Sequence, residues 1–523
     1  MGESATEFNL LTERLIRVRR AGEPQSVTLP ELYQALMSDE VESVTALRPH
    51  QRHALHAILV QVGAMALLEA GTSELPQSAD AWTEILRGLT PGFENDEPWC
   101  VVVQDLAKPA FLQPPVPEGT LAVLKETELT PDSLDMLVTA KNHDLKAARM
   151  TTAKPDCWLF ALITLQTCEG FLGRGNYGIS RMNGGFASRP FVGLAPPGQW
   201  GAHIRRDVVR LAELRADIVA SYPIYREKAG LRLIWIEPWD GETQVTLDRL
   251  DPYYVEICRR IRLVQNEGTI IAHRGPSRNS RLATPEKLNG VTGDPWTPID
   301  RKGSKAVTVD GSGFHYRRVV DLLDAAKFSP APLQEAGEKD SREGLEISFS
   351  VIVRGQGETQ GFHERRIPIP SRAVPFFMRG AATDRLAELA RERVTDGAAM
   401  RGKVLTPALF CLFQNAPDKI NYKHPATQTK ADPLLSRFDR EIDTDFFEHL
   451  FEELTEEKHS PGAREKRSAW LRRLKARADD VLAIAEAGSP LSQVRRYRSR
   501  AAAKSLLDGA FQRQFSNWLK GEV

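Results

Sequence analysis

Cysteine is scarce and scattered in this sequence. Its 523 residues include five cysteines, and no two of them form a C-x-x-C pair. They are Cys100, Cys157, Cys168, Cys258 and Cys411. An odd number of cysteines so far apart indicates neither a disulfide framework nor a zinc knuckle, and it fits a reducing compartment. We therefore predict no metal site built on cysteine.

Net charge is absent as well. Lysine and arginine together number 69, and so do aspartate and glutamate. Such a balance does not identify a nucleic-acid-binding protein, so that role would need uneven placement of the charges. The N-terminus, MGESATEFNLL, lacks a basic segment followed by an apolar one, and we expect no apolar run as long as a membrane span. The prediction is a soluble, cytoplasmic protein without membrane association.

The sequence does contain a stretch rich in glycine, EGFLGRGNYGISRMNGGFASRPFVG, from Glu169 to Gly193. Glycine lets backbone N–H groups approach a ligand closely. Arg174, Arg181 and Arg189 place cations beside that backbone, and this combination suits a phosphate or a nucleic-acid backbone. The alternative is an ordinary glycine-rich surface loop.

Gly173, Gly175 and Gly178 also form a dinucleotide-binding pattern, G-x-G-x-x-G. That pattern needs a preceding strand, a helix opening at its third glycine and an acid about twenty residues later. Here the preceding run, 157–165, is predicted to be helical, and Asn183-Gly184-Gly185 interrupts any following helix. An enzyme that binds a nucleotide at Gly173–Gly178 is therefore the less favoured alternative.

The apolar patterns predict an α+β fold with two domains. Residues 1–374 mix short strands with helices. Beyond Pro375 the patterns are helical, at about 381–414, 434–456, 462–487 and 489–519. Because the connections are short, we predict antiparallel neighbours and hence a C-terminal four-helix bundle over 375–523.

Apolar stripes and segregated charges mark the predicted bundle. The stripes are Phe446, Phe447, Leu450, Phe451 and Leu454; Trp470, Leu474, Ala478, Val481 and Leu482; and Leu491, Val494, Ala501, Leu506, Ala510 and Phe515. DREIDTDFFEHLFEELTEE is acidic, whereas EEKHSPGAREKRSAWLRRLKAR and QVRRYRSRAAAK are basic. Either a basic face follows a nucleic-acid strand or the acidic helix pairs with its basic neighbour.

Three histidines lie on a strong helix that the sequence predicts from Pro49 to Ala70. His50, His53 and His56 recur every third residue, and two such side chains can share a metal ion. No acid or cysteine accompanies them in the sequence. We therefore predict a polar helix face and no metal.

Two further segments combine flexible backbone with polar groups. The first, RGPSRNSRLATPEK, runs from Arg274 to Lys287 and contains no acid before Glu286; the alternative is a solvated loop. The second, RGQGETQG, runs from Arg354 to Gly361 after a predicted strand. Glutamine amides at a turn tip can hydrogen-bond base edges or wedge into a groove.

Seven ordered segments together resemble one known family. They are NLL near the N-terminus, LRPHQRHALHAILVQ, FLQPPVPEG, LVTAKNHDLK, GNYGISRMNGGFASRP, LNGVTGDPWTPI and RGQGETQGFHERR, and they span about residues 8 to 370. On these motifs the chain is similar to the CasA family, the large subunit of the type I-E CRISPR surveillance complex, Cascade. The predicted C-terminal bundle matches that family's four-helix bundle.

The resemblance implies a non-enzymatic DNA-recognition subunit without cofactors. In that family the large subunit reads the protospacer-adjacent motif (PAM) of duplex DNA through the minor groove. It then wedges the duplex open so that the guide RNA can pair in an R-loop, and it helps to recruit the helicase–nuclease. Some members carry a cysteine-rich metal knuckle, and because this chain has none we predict no zinc.

The resemblance also assigns DNA-binding residues. The glycine loop that lies against the PAM corresponds to Gly175, Asn176, Tyr177 and Gly178. The minor-groove lysine corresponds to Lys287, by its spacing before Trp296. The glutamine wedge falls within 357–360, with Gln360 the best match and Thr359 where the family often has asparagine.

Partners follow from the same resemblance. They are crRNA, target double-stranded DNA, the backbone, crRNA 5′-end-binding and small subunits of Cascade, and an effector helicase–nuclease or a nuclease domain fused to another subunit. The loop that contacts the crRNA 5′ end and its neighbouring subunit falls at Thr139–Lys146, with Lys141, Asn142, His143 and Lys146 as contact residues. The alternative is an architectural subunit that holds the ribonucleoprotein together without reading DNA.

Overall fold

The computed structural model describes residues 6–138, 153–340, 344–378, 383–488 and 493–520. Its chain divides into two compact units. The first comprises Met1–Phe314 and Ala326–Ile367, and the second comprises His315–Ala325 and Pro368–Val523. The functional roles expected for domains 1–374 and 375–523 stay predictions.

The described part of the first unit contains five helices, and the second of them is buried along most of its length. They are α1 (Leu29–Met37), α2 (Arg52–Ala70), α3 (Ala79–Gly88), α4 (Pro155–Cys168) and α5 (Trp200–Ser221). Thr28 begins α1: its hydroxyl accepts from the Glu31 amide at 3.1 Å, and the Glu31 carboxylate accepts from the Thr28 amide at 2.9 Å. This reciprocal cap satisfies two backbone donors at the helix start.

Helix α2 differs from the amphipathic helix that the sequence predicts. Every residue from His53 to Leu67 is buried, so its histidines do not form a polar face. Pro49–Ala70 is long and apolar enough to cross a membrane, which contradicts our expectation that no apolar run would reach that length. However, 83% of its apolar window is buried inside the protein, as in the core helix of a globular unit.

The strands are mostly short. They are β1 (Thr6–Asn9), β2 (Ile16–Arg20), β3 (Glu23–Val27), β4 (Ser43–Val44), β5 (Cys100–Val103), β6 (Glu126–Glu128), β7 (Phe191–Ala195), β8 (Leu231–Leu233), β9 (Val245–Thr246), β10 (Leu250–Val255), β11 (Arg260–Asn266), β12 (Thr269–Gly275), β13 (Leu282–Ala283), β14 (Ile299–Asp300), β15 (Lys305–Ala306), β16 (Phe328–Ser329), β17 (Leu345–Arg354) and β18 (Thr359–Ile369). Their sheets have the orders β1–β5, β10–β8, β11–β12–β6, β13–β9, β15–β14–β16, β18–β17–β7 and β3–β2–β4. The predicted α+β class is confirmed.

One sheet brings the two glycine-rich segments together. Strand β7 follows the first segment and pairs antiparallel with β17, which precedes the second. Their register places Ser350 opposite Phe191, and an isolated bridge continues it between Arg354 and Ala187. The end of the first glycine-rich stretch therefore lies beside the end of β17.

Tryptophans fill the core of the first unit. Trp82, Trp99, Trp158, Trp235 and Trp239 are each at most 1% exposed. Each indole buries a large apolar area, and a densely packed interior resists deformation. The irregular loops between the short strands are therefore anchored to a rigidly packed core.

The second unit is helical. Its helices are α6 (Tyr316–Leu323), α7 (Thr383–Ala399), α8 (Thr406–Phe413), α9 (Pro425–Asp443), α10 (Phe446–Leu454), α11 (Pro461–Ala487) and α12 (Gln493–Lys520), and a π-helical segment, Met400–Leu405, joins α7 to α8. The helix predicted at 434–456 is interrupted at Thr444–Asp445. Asp445 there accepts hydrogen bonds from Arg473 (2.9 Å) and Arg477 (2.5 Å) of α11.

The predicted stripes of α10 and α11 are buried, but the stripe of α12 is displaced. Ala501 is exposed and Leu506 is half-buried. Ala510 and Phe515 of the predicted stripe are buried, and Ala503, Leu507 and Phe511 are buried with them; these five positions recur at the three- and four-residue spacing of one helix face. Leu491 and the Val494 side chain lie outside the described part of the chain.

The acidic and basic helices of the second unit pair with each other. Besides the contacts of Asp445, Lys466 lies 3.4 Å from Glu452 and Arg467 lies 3.9 Å from Glu453. These ion pairs use cations of the basic segment. They favour helix pairing over a basic face that follows a nucleic-acid strand.

Candidate nucleic-acid interface

The glycine-rich stretch folds into a compact double loop between α4 and β7. Backbone hydrogen bonds join its two limbs. They run from Gly170 to Phe186 (2.7 Å), from Phe171 to Gly185 (2.9 Å), from Leu172 to Asn176 (2.9 Å) and from Ile179 to Glu169 (3.0 Å), naming the N–H donor first. The stretch is thus a built structure held by its own backbone, unlike an ordinary surface loop.

Close backbone approach explains why glycine occupies position 178. A Cβ atom placed there would lie 2.5 Å from the Gly170 Cα, which is closer than real Cβ contacts allow. In the described part of the chain, the amides of Tyr177 and Gly178 donate no hydrogen bond. The predicted turn Gly175–Gly178 therefore keeps bare backbone donors for a ligand.

A buried cation that the sequence analysis did not assign fastens this turn. The Arg259 guanidinium donates to the Tyr177 carbonyl and, at 2.9 Å, to the Gly170 carbonyl. Glu169 lies 3.3 Å from Arg259 and also accepts from Arg354 at the end of β17. Nothing in the spacing of Arg259 indicates this role, because its partners are far away in sequence.

Two of the three arginines predicted to flank the bare backbone are buried instead. Arg181 is 2% exposed and lies over the Tyr254 ring at 4.0 Å. Arg189 is 4% exposed and pairs with Asp294 at 2.6 Å. Desolvating a cation is costly unless a partner compensates it, so these side chains stabilise the interior. Arg174 is exposed. Of the three predicted arginines, it alone provides a cation at the surface.

A buried carboxylate holds the loop just after the turn. Glu256 accepts from the Ser180 amide at 2.6 Å and from the Ser180 hydroxyl at 3.0 Å. Burial raises the pKa of Glu256 to about 6, although Ser180 and the nearby Arg181 oppose the shift. The loop that follows Gly178 is therefore tied to a group that titrates near neutral pH.

Lys287 is the cation of its segment that stays exposed without an ion pair in the described part of the chain. It lies in the 3₁₀ turn Glu286–Leu288. The arginines of the segment have partners: Arg274 with Glu126 (2.9 Å) and Glu128 (2.7 Å), Arg278 with Glu242 (2.7 Å), and Arg281 with the Glu237 (3.1 Å) and Thr243 (3.3 Å) carbonyls. The acids missing from the segment thus come from elsewhere in the chain.

The residues directly after the Lys287 turn pack against the glycine-rich stretch. A Cβ atom at Gly290 would lie 2.8 Å from the Asn183 nitrogen, and Gly290 has a φ of +77°. In addition, the Ala306 amide donates to the Asn289 carbonyl at 2.9 Å. The residues directly after the Lys287 turn therefore contact both the second limb of the glycine-rich stretch and β15.

Thr359 and Gln360 begin β18, so Gln360 does not occupy the turn tip. The tip is Gly355–Glu358, where the Gly355 amide donates to the Glu358 carbonyl at 2.9 Å. The exposed Gln360 accepts from the Gly311 amide at 3.1 Å through Oε1, and Thr359 Oγ1 accepts from the Gly361 amide at 3.1 Å. The expectation of Gln360 at a turn tip was wrong, whereas Gln356 does lie there.

Backbone contacts connect the three predicted DNA-binding segments. Arg354 donates to the Ala187 carbonyl at 3.0 Å, and Val309 donates to the Ser188 carbonyl at 3.4 Å. Residues 306–311 thus contact the glycine-rich stretch, the residues directly after the Lys287 turn and Gln360. The residues predicted to contact crRNA and its neighbouring subunit, Lys141, Asn142, His143 and Lys146, lie outside the described residues.

Among the described residues, one cluster has the spacing of metal ligands: His56, His203 and Asp207, whose ligand atoms lie within 4.8 Å of one another. Trp200 Nε1 donates to His56 Nδ1 at 3.1 Å, so His56 Nε2 carries the proton that faces Asp207 at 2.8 Å. Asp207 also accepts from Arg206 at 3.0 Å. This tautomer leaves no Nε2 lone pair for coordination.

The histidines of the Pro49–Ala70 segment have separate partners. His50 contacts Asp135 at 2.8 Å, and His53 lies 3.9 Å from Cys168. Burial and the charge of His203 lower the pKa of His56 to about 4. His56, His203 and Asp207 therefore form a hydrogen-bonded network in the core. Because the histidines of α2 are buried, our expectation of a polar helix face was wrong.

The dinucleotide alternative lacks its structural context. Helix α4, and not a strand, precedes Gly173. In the described chain the next helix after Gly178 is α5, which begins at Trp200. A pyrophosphate therefore has no helix N-terminus at the third glycine of the pattern.

Known structures share this fold. The model is similar to CasA (Cse1) of Thermus thermophilus, with a TM-score of 0.64 and 14% identity over 97% of this chain and 100% of that one. For Cse1 of Acidimicrobium ferrooxidans the TM-score is 0.64 and the identity 15%, over 99% and 100%. For Cse1 of Thermobifida fusca they are 0.63 and 14%, over 98% of each chain. No curated protein sequence matches this chain.

Structural similarity at such low identity shows the fold alone, so the family is identified by a match to a family model. The model of CRISPR-associated protein Cse1 matches residues 9–481, which include all the segments of the candidate interface. The chain therefore belongs to the Cse1 (CasA) family, and that membership implies the large subunit of a type I-E Cascade complex.

Proposed function

We propose that this chain reads the PAM of duplex DNA through the minor groove, starts strand separation for crRNA pairing and helps to recruit the effector nuclease. The observation that carries the proposal is a set of contacts through residues 306–311, which link three segments. These are the glycine-rich stretch that carries the turn Gly175–Gly178, the residues directly after the Lys287 turn and the Gln360 end of β18. Each segment offers a different polar group.

The chemistry of these groups suits the minor groove. That groove presents acceptors on every base pair and one amino donor on G·C pairs. Free amides at Tyr177 and Gly178 and the ammonium of Lys287 supply donors, and a glutamine amide both donates and accepts. Such a reader distinguishes base pairs only coarsely, so we expect tolerance for several related PAMs.

Duplex opening needs only a modest contribution from the protein. Replacing a DNA duplex with an RNA–DNA heteroduplex is nearly balanced in free energy. A side chain that inserts next to the PAM can therefore start the exchange. Gln360 already lies at the surface with its Oε1 on the Gly311 amide, and that single hydrogen bond is exchangeable for one to a base.

The partners belong to the proposal as well. We infer contacts with crRNA, target DNA and the backbone, crRNA 5′-end-binding and small subunits, with no catalysis by this chain, in the cytoplasm. The alternative is an architectural subunit that does not read DNA. It is less favoured because an architectural role gives no reason for an exposed, unpaired Lys287 or for unbonded amides at Tyr177 and Gly178.

Alanine variants in the reconstituted complex test the proposal. Lys287→Ala and Gln360→Ala are compared with Lys228→Ala, a matched control whose lysine is exposed and unpaired in the described chain. Binding is measured to target duplexes with and without a PAM, and assembly is measured separately. We expect each interface variant to cost about 1–3 kcal/mol of PAM-dependent binding, with assembly intact. Unchanged PAM preference in both variants would support the architectural alternative.

A further inference from the structure

A pocket of the first unit opens where α2, α5 and the β17–β18 hairpin meet. Its volume, including the open mouth, is about 490 Å³. Phe191, Trp200, Trp296 and Phe362 supply its apolar walls. Arg52, Arg366 and Glu364 carry charge in its lining, and its other polar side chains include His53, His203 and Ser348.

One helix start lies at the pocket. Trp200 and His203 belong to the first turn of α5, which has no side-chain cap. Arg52 and His53 begin α2, but the 3₁₀ turn Pro49–Gln51 leads directly into that helix and the Arg52 amide donates to the Pro49 carbonyl. An uncapped N-terminus carries partial positive charge and free N–H donors, so the start of α5 favours an anion at this place.

Arg52 is a half-buried cation with no ion pair in the described part of the chain, and the carboxylate that acts on its charge is Glu364 of the pocket lining. Its guanidinium lies 5.5 Å from the Trp200 ring centroid. Burial and the charge of Arg366 lower the pKa of Arg52. Arg366 itself has only long contacts with carboxylates, 3.6 Å to Glu346 and 3.7 Å to Glu364. Both guanidinium groups thus retain donors for a ligand.

A buried nitrogen of His53 without a hydrogen-bond partner is independent evidence for a ligand in this pocket. His53 is 7% exposed, and its Nδ1 has no hydrogen-bond partner. Burial, with the charges of His50 and Arg189, lowers the pKa of His53 to about 3, so the ring is neutral. Buried polar atoms without partners are rare and costly, and a neutral imidazole protonated at Nδ1 donates to a ligand oxygen.

We infer that this pocket binds a phosphate group. Two guanidinium groups, the start of α5 and the imidazole of His53 supply donors from several directions. A tetrahedral oxyanion accepts from all of them, and guanidinium forks match phosphate oxygens in pairs. The group belongs either to a free small molecule or to the end of a nucleic-acid strand, since the chemistry is the same. This inference does not depend on PAM reading.

The full chain serves for the test. Inorganic phosphate is titrated into the wild-type chain, Arg52→Gln and Arg440→Gln, with ionic strength held constant by chloride, and binding is measured by calorimetry. Arg440 is an exposed arginine without a partner in the described chain and serves as the matched control. A second arm compares one short single-stranded DNA with a 5′-phosphate or a 5′-hydroxyl end.

We expect the wild type and Arg440→Gln to bind phosphate, and Arg52→Gln to bind about ten- to a hundredfold more weakly, as expected for a lost hydrogen bond to a charged group. Arg52→Lys should retain part of the affinity, which separates a binding defect from misfolding. Preference for the 5′-phosphate end identifies a strand terminus as the source. Wild-type failure to bind either probe, or equal binding by Arg52→Gln, overturns the inference.

Discussion

At the residue scale, neighbours decide which cations of the candidate interface are available. Arg181 and Arg189 have partners inside the first unit, whereas Lys287 stays exposed and unpaired among the described residues. The sequence places all three in flexible, polar segments and does not distinguish them. Availability is a property of the folded environment, because a buried cation needs its partner and an exposed one does not.

The identity of the wedge glutamine is one prediction at this scale. Gln356 lies at the hairpin tip and Gln360 in β18. We expect Gln360→Ala to weaken binding of the complex to a closed PAM duplex by about 1–3 kcal/mol, while binding to a target with a pre-opened bubble changes little. Gln356→Ala is the matched control, and a larger defect in that variant would move the wedge to the tip.

A second prediction concerns pH. Because the folded pKa of Glu256 is about 6 against an ordinary 4.5, the native chain binds more protons than the unfolded chain between these values. The free energy of unfolding should therefore fall by about 2 kcal/mol as pH rises from 4.5 through 6, owing to this group. Glu256→Gln should remove that slope in denaturant titrations at several pH values. Parallel pH profiles for both proteins would contradict the assignment.

At the element scale, the glycine-rich stretch depends on groups from other elements. Its limbs bond to each other, Arg259 from the β11 region holds two of its carbonyls, and Glu256 holds its Ser180. A glycine-rich sequence alone suggests mobility. The observed loop is ordered because long-range partners satisfy its backbone, which leaves the turn itself free to contact a ligand.

We therefore predict that Arg259→Gln releases the turn. Two carbonyls lose their donor, which should cost about 1–3 kcal/mol locally. Hydrogen–deuterium exchange should accelerate at residues 170–180 and PAM-dependent binding should weaken. Arg260→Gln is the matched control, because the neighbouring Arg260 pairs with Glu118 at 3.0 Å and not with the turn. Equal protection of the turn in both variants would refute this role.

The helical unit supports a stability prediction. Arg393 is fully buried, pairs with Glu453 at 2.6 Å and lies 5.1 Å from the Trp470 ring centroid. Its replacement by alanine strands a buried carboxylate, so we expect a loss of about 3–5 kcal/mol in the free energy of unfolding of this unit.

The matched control is Arg437→Ala, which breaks the surface pair with Glu441 (2.7 Å) on α9. That change should cost at most about 1 kcal/mol. Denaturant titration followed by circular dichroism compares the two variants. Similar midpoints for both would mean that the buried pair contributes little beyond a surface pair.

At the scale of the whole molecule, local pattern predicted the α+β class, the buried stripes of α10 and α11 and the glycine-rich turn. It failed where distant residues decide the outcome. Periodicity could not show that α2 is buried on every side, since its cover comes from α3, α4, α5 and β10. Nor could it foresee the break at Asp445, because Arg473 and Arg477 of another helix stabilise that residue.

The candidate site, too, could be predicted only in part from local sequence patterns. Motif matches assigned Gly175–Gly178, Lys287 and Gln360 to the site, but the contacts that link their segments depend on pairing between β7 and β17 and on Gly290 against Asn183. No sequence spacing encodes those pairings. Arg259 and Glu256 were missed for the same reason, since each acts on a loop roughly eighty residues away in the chain.

The most direct test of PAM reading by this chain is the binding of reconstituted complex to a library of target duplexes that differ only in the PAM. The measurement is made with the chain present, with the chain omitted and with Lys287→Ala in its place. We predict that a ranking of PAM sequences appears only with the wild-type chain and flattens in the variant. The same ranking from the complex without this chain would contradict the account.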